Sequence, residues 1–124
     1  MNEQPGTVLV VDDNESVRTM LVSGLETLGY TAEAVPSAVG IEERLSNTPP
    51  AAVLLDIVME EKEGIETLMQ LKSVHPALPV VMISSYPGYL AMANTLGADG
   101  ALEKPIDLGE LAALLERLGV ARSA

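Results

Sequence analysis

The chain contains no cysteine, phenylalanine or tryptophan, and only seven lysines and arginines among its 124 residues. Without cysteine, neither a disulfide nor a thiolate metal site can form. Tyr30, Tyr86 and Tyr89 are the only aromatics, so the stacking platforms that bind single-stranded nucleic acid or flat cofactors are missing. Eighteen acidic residues outweigh the cations and leave a formal net charge of −11. Binding to a phosphate backbone needs clustered positive charge, so any effect on nucleic acid is expected to pass through another domain or partner. No apolar run approaches the roughly 20 residues of a membrane span. Residues 1–6 have neither the basic nor the apolar region of a signal peptide. The expected compartment is the cytoplasm, with no membrane attachment.

What the chain has is packing material: 48% of its residues are apolar, enough for one real core and too many for a disordered segment. Five short apolar runs alternate with longer amphipathic stretches. The runs are 7–11, 31–35, 51–55, 79–83 and 100–102. The first, third and fourth are almost wholly apolar, as parallel strands covered on both faces must be. The second alternates and belongs near an edge.

Asn14 is expected to cap a helix carrying Val17, Leu21, Leu25 and Leu28, stopped by Gly29. Ser37 is expected to cap a second containing Val39, Ile41 and Leu45. Ile65, Leu68, Met69 and Leu71 form a third apolar stripe, ended by His75 and Pro76. A short fourth helix is expected over 89–96, with Gly97 after it. Asp107 caps a fifth, whose stripe is Leu108, Leu111, Leu114, Leu115 and Leu118.

The result is a single α/β domain over 1–124: a (βα)₅, flavodoxin-like three-layer sandwich with right-handed crossovers and a parallel sheet of order 2-1-3-4-5. In open sheets of this kind, ligands bind beyond the carboxyl ends of the strands. The residues expected there are Asp12 and Asp13 after strand 1, Asp56 after strand 3, Ser84 and Ser85 after strand 4, and Glu103, Lys104 and Pro105 after strand 5. Converging carboxylates raise one another's pKa unless a cation joins them. An oxygen-lined acidic site suits Mg²⁺. Lys104 offers a point charge for a phosphoryl oxygen. Asp56 is the candidate carboxylate nucleophile, and Ser84 could donate a hydrogen bond to phosphate. Taken alone, an Asp-Asp pair after a strand also serves as a turn or helix cap; it is the register with Asp56 and Lys104 that reads as a metal site. His75, the sole histidine, is expected to cap or face solvent, and Glu60, Glu61 and Glu63 to form a solvated loop.

At this point the chain resembles the receiver domain of two-component response regulators over nearly its whole length. The resemblance is carried by Val-Val-Asp-Asp-Asn over 10–14, Leu-Asp-Ile-Val-Met over 55–59 with Gly64, Pro-Val-Val-Met-Ile-Ser over 79–84, Gly-Ala-Asp over 97–99, and Lys104-Pro105. It implies phosphotransfer to Asp56 from the phosphohistidine of a sensor histidine kinase or a phosphotransfer protein. It also implies Mg²⁺ held by Asp12, Asp13, Asp56 and the backbone carbonyl of Val58. Lys104 would pair with the acceptor or the phosphate, Ser84 would act as switch hydroxyl beside the small Ser85, and the Lys104–Pro105 bond would be cis. Such a domain is a switch read by an output domain or partner protein, and catalyses only its own phosphotransfer and dephosphorylation. A weak homodimer stays open.

Three departures stand out. Ala101 occupies the position where the family usually has an aromatic, which leaves Tyr86 as a candidate carrier of the signal. The stretch 84–97 is short for the family. Glu60 replaces the proline that often follows Met59. Two other classes fit the chain less well. An aspartyl-nucleophile phosphatase wants a second acid two residues after the nucleophile, where Val58 stands. A flavodoxin-like electron carrier wants a hydroxyl-rich loop in place of Asp12-Asp13-Asn14.

Overall fold

The computed structural model describes residues 6–57 and 63–122. Its five strands are β1 (Thr7–Val11), β2 (Thr31–Val35), β3 (Ala52–Asp56), β4 (Val80–Ser84) and β5 (Gly100–Glu103). All pair in parallel in the order β2-β1-β3-β4-β5. Among the described residues six helices connect and follow them: α1 (Glu15–Thr27), α2 (Ile41–Asn47), α3 (Glu63–Val74), α4 (Pro87–Ala91), α5 (Ala93–Leu96) and α6 (Leu108–Arg117).

The alternation of side chains along each strand divides the core in two. Val8, Val10, Leu54, Val81 and Ile83 face Leu21, Leu25, Leu111 and Leu115 of α1 and α6. Leu9, Val11, Val53, Leu55 and Met82 face Leu45, Leu68 and Leu71 of α2 and α3, with Ala93 of α5. Strands β1, β3 and β4 are thus buried on both faces, which is why they read as unbroken apolar runs. β2 sits at the edge, where its second face meets solvent and its sequence alternates. Each fully buried leucine contributes about 2 kcal/mol through removal from water.

The helix starts follow local chemistry where a side chain was free to cap. The Asn14 side chain accepts from Val17 N at 3.0 Å, and that of Asp107 from Glu110 N at 3.1 Å. Elsewhere the expectations need correction. Ser37 is no N-cap: its hydroxyl accepts from Val39 N at 3.2 Å in a turn before the helix. α2 begins only at Ile41, after Gly40 at φ +78°, and Val39 lies outside it, 85% exposed. The fourth helix is two short ones broken at Met92, the second closed by Gly97 at φ +96°. Met69 faces solvent instead of the α3 stripe. His75 follows the last residue of α3 and closes its final turn, its N donating to Leu71 O at 2.7 Å, but its side chain is not free: Nε2 lies 2.9 Å from Glu42 Oε1, tying α3 to α2. No described helix is long and apolar enough to cross a membrane.

Candidate functional site

The carboxyl ends of β1, β3 and β5 bring together three acids and an ammonium. Asp12 directly follows β1 and is fully buried; Asp56 is the last residue of β3, one place earlier than expected, and is 3% exposed. Asp13 is exposed. One carboxylate oxygen from each of the three lies within 4.8 Å of the others. Lys104, just past β5, places its Nζ 2.9 Å from Asp12 Oδ2 and 3.2 Å from Asp56 Oδ2. The Lys104–Pro105 peptide bond is cis.

Asp12 is held from several sides. Its N donates to Val35 O at 3.2 Å, its Oδ1 accepts from Asn14 N at 2.9 Å, and its carbonyl accepts from Arg18 Nη1 at 2.8 Å. Nothing in the sequence reading had singled out Arg18. The available signal was a long cation one turn into a helix, placed where side chains lean back over the N-terminus.

Burial pulls the Lys104 ammonium down, but the hydrogen bond to Asp12 and the charges of Asp56 and Asp12 outweigh that pull, and its pKa lies above the ordinary lysine value. Three carboxylates against one ammonium leave two excess negative charges. Like charges about 4 Å apart near a protein surface repel by about 4 kcal/mol. Asp12 Oδ2 is also fully buried, and among the described residues the Lys104 ammonium at 2.9 Å is the one group that reaches it. A hard divalent cation with oxygen ligands fits both the charge deficit and this oxygen.

Ser84 ends β4, fully buried, on the strand that pairs Ile83 with Asp56. Its Oγ accepts from Tyr86 N at 2.9 Å, and Tyr86 is the N-cap residue of α4. Ser85 is exposed and borders a surface hollow with Val17, Met20, Lys104, Pro105 and Ile106. Ala101 is half-buried on β5 opposite Met82. Tyr86 is 56% exposed and meets Tyr89 edge-on, with ring centres 6.2 Å apart. The Val58 carbonyl, Glu60 and Glu61 lie outside the described residues, as does the Glu63 side chain.

The sequence reading also gave Asp99 no role beyond its motif. Asp99 Oδ2 accepts from Lys72 Nζ at 2.7 Å and from Val80 N at 2.9 Å, while Lys72 donates further to the carbonyls of Pro76 and Leu78. This knot fastens α3 to the start of β4 and the approach to β5, at the end of the sheet away from the acids.

Comparison with known proteins gives the same answer as the geometry. The family model described as the response regulator receiver domain matches residues 8–116. The DNA-binding transcriptional regulator NtrC of Escherichia coli (strain K12) is 35% identical over 92% of this chain and 25% of its own length. Response regulator MprA of Mycobacterium sp. (strain KMS) is 34% identical over 92% of this chain and 50% of its own length. The chain therefore spans a quarter to a half of the curated relatives it matches. Among solved structures, the receiver domain of NtrX from Brucella abortus superposes with a TM-score of 0.81 at 30% identity, covering 90% of this chain and 96% of that one. A putative response regulator from Chloroflexus aurantiacus, at 23% identity and a TM-score of 0.84 over 93% of this chain and 98% of its own, shares the fold. Neither the phosphatase nor the flavin-carrier alternative finds support in these matches. With strands in the 2-1-3-4-5 order and an acidic pocket at their carboxyl ends, the chain belongs to the response regulator receiver domain family.

Proposed function

We propose that the chain, over 1–124, is a phosphorylation-operated switch in which Asp56 accepts the phosphoryl group of a histidine kinase's phosphohistidine or of a phosphotransfer protein. The observation that carries this reading is the convergence of Asp12, Asp13 and Asp56 with Lys104 in contact with two of them. An Asp56 oxygen attacks phosphorus as the P–N bond to the donor imidazole breaks, and the imidazole leaves with the electron pair and takes up a proton from water. Asp12, Asp13, Asp56 and, by family resemblance, the Val58 carbonyl would hold Mg²⁺. When bound, the ion neutralises charge on the equatorial phosphoryl oxygens. Lys104 binds one of those oxygens. The same reading places the protein in the cytoplasm, acting on an output domain or partner. Incubation with Mg²⁺ and a small phosphodonor, followed by intact-mass measurement, tests it: no phosphoryl adduct on the wild-type chain refutes acceptor chemistry here.

Lys104 and Mg²⁺ compete for the same carboxylates in this arrangement. Lys104→Met removes a competing contact at Asp12 Oδ2 and a neighbouring positive charge together. Mg²⁺ binding, read by calorimetry, is expected to tighten by about fivefold, the factor that ~1 kcal/mol of relieved repulsion gives. Phosphorylation of the same variant should slow, because Lys104 is lost as a phosphoryl ligand. Weaker Mg²⁺ binding in this variant would contradict the arrangement.

Ser84 connects the site to α4. Its hydroxyl carries the Tyr86 amide, and α4 is only five residues long with no buried residue. Once the hydroxyl turns to phosphate, α4 loses its hold at the N-terminus. With no tryptophan in the chain, tyrosine emission reports this directly. Adding beryllofluoride with Mg²⁺ should change that emission in the wild type and in Tyr30→Phe, and the change should vanish in Tyr86→Leu. A response that persists without Tyr86 would assign the signal to another element.

A further inference from the structure

Arg18 stands where a cation is poorly placed. It lies one turn into α1, at the end of the helix whose dipole favours negative charge, and the adjacent Glu15 follows that preference. Among the described residues its guanidinium does not reach outward to an acid. It turns back, as side chains near a helix start do, and Nη1 donates at 2.8 Å to the carbonyl oxygen of Asp12. Asp12 is the buried member of the acidic triad, and its carbonyl lies on the peptide that leads into Asp13. Fixing that carbonyl fixes the rotation of the Asp12–Asp13 peptide plane, and with it where both side chains leave the loop. A charged donor to a backbone carbonyl is among the stronger hydrogen bonds available for such a task.

We propose that Arg18 is a positioning residue for the divalent-cation site: it never touches the ion, but orients the loop that presents two of the three carboxylates. This inference rests on the reading of Asp12, Asp13 and Asp56 as Mg²⁺ ligands, and extends it to a residue on another element. The sign of its effect separates it from simple electrostatics. Neutralising a nearby cation would, by charge alone, strengthen Mg²⁺ binding. Losing the clamp weakens it.

The test titrates Mg²⁺ into the full chain by calorimetry for the wild type, Arg18→Gln, Arg18→Lys and Arg44→Gln, with urea unfolding run in parallel. Arg18→Gln is expected to weaken Mg²⁺ binding by about tenfold, the size seen for residues that orient metal ligands. Arg18→Lys keeps the charge and part of the reach, and should recover some of that loss. Arg44→Gln makes the same change in net charge at the Arg44–Glu33 pair and should leave Mg²⁺ affinity unchanged. A purely structural clamp would lower the unfolding midpoint of Arg18→Gln while its folded form bound Mg²⁺ as before. That result, or tighter binding, overturns the inference. Should Arg18→Gln not fold, Arg18→Lys decides, and wild-type affinity in that variant is equally fatal. A wild-type chain that takes up no Mg²⁺ overturns the metal reading and this inference together; wild-type uptake with an unaltered Arg18→Gln overturns the inference alone.

Discussion

Asp56→Asn is expected to abolish the phosphoryl adduct altogether, in the presence of Mg²⁺ and a small phosphodonor, while leaving a folded protein. An amide oxygen is a far poorer nucleophile than a carboxylate, so no slower version of the same acyl phosphate should accumulate. Shape is conserved, and the replaced residue is only 3% exposed, so the packing around it has no cavity to absorb. The charge balance favours the variant. The wild-type cluster holds three carboxylates and one ammonium, and removing one acid relieves more like-charge repulsion than it removes attraction to Lys104. Urea unfolding without metal should therefore show Asp56→Asn at least as stable as the wild type, by up to about 1 kcal/mol. Asp13→Asn supplies the contrast. It keeps the proposed acceptor and removes an exposed carboxylate proposed as a ligand, so its adduct should form more slowly and require more Mg²⁺. An adduct that survives in Asp56→Asn places the acceptor elsewhere.

Gly64→Ala is expected to cost about 3 kcal/mol of stability, at the upper end for adding a methyl group to a packed interior. A Cβ at this position would fall 2.6 Å from Ile57 Cα and closer still to the Ile57 carbonyl oxygen. Both are backbone atoms, so no rotamer change can open the space. Ile57 is itself anchored, 1% exposed, with its N–H donating to Ile83 O at 3.0 Å. Either α3 must lift from the sheet or the end of β3 must move, and Asp56 is the residue before Ile57. The variant should thus lose Mg²⁺ affinity along with stability, both readable in one urea series run with and without the metal. A variant of wild-type stability would mean that α3 can shift without strain. The same contact explains a motif that sequence alone only noted: the glycine after the acidic loop is needed because a helix start packs against the backbone beside Asp56.

Much of the site could be read from the chain because its main acids sit at strand ends. Asp12 and Asp56 are preceded by uninterrupted buried runs, Val8–Val11 and Ala52–Leu55, and that abrupt change from apolar to acidic is visible in any linear reading. Lys104 follows a shorter strand and was found through its proline neighbour. Arg18 was missed because its role depends on where one guanidinium turns, which hydrophobic patterning does not record. Ser37 was misassigned for a related reason. Serine accepts from an amide two residues on as readily as it caps a helix, and the choice went to the turn once Gly40 took a left-handed backbone. The break in the fourth helix at Met92 had no local marker, since neither proline nor glycine interrupts 89–96.

By itself the sequence determined the number and order of strands, that helices cover both faces of the sheet, and the acids at the ends of β1 and β3. Burial of a whole face imposes a period on the residues, and a period can be read without coordinates. Only the tertiary structure decided that Lys104 bridges Asp12 and Asp56, that Arg18 grips the Asp12 carbonyl, that His75 pairs with Glu42 and that Ser84 holds the start of α4. Most of these contacts join side chains to partners on other elements, and all depend on the direction in which a polar group turns. That direction follows from which unsatisfied atom comes within hydrogen-bond reach, and that atom's position exists only after the sheet has assembled.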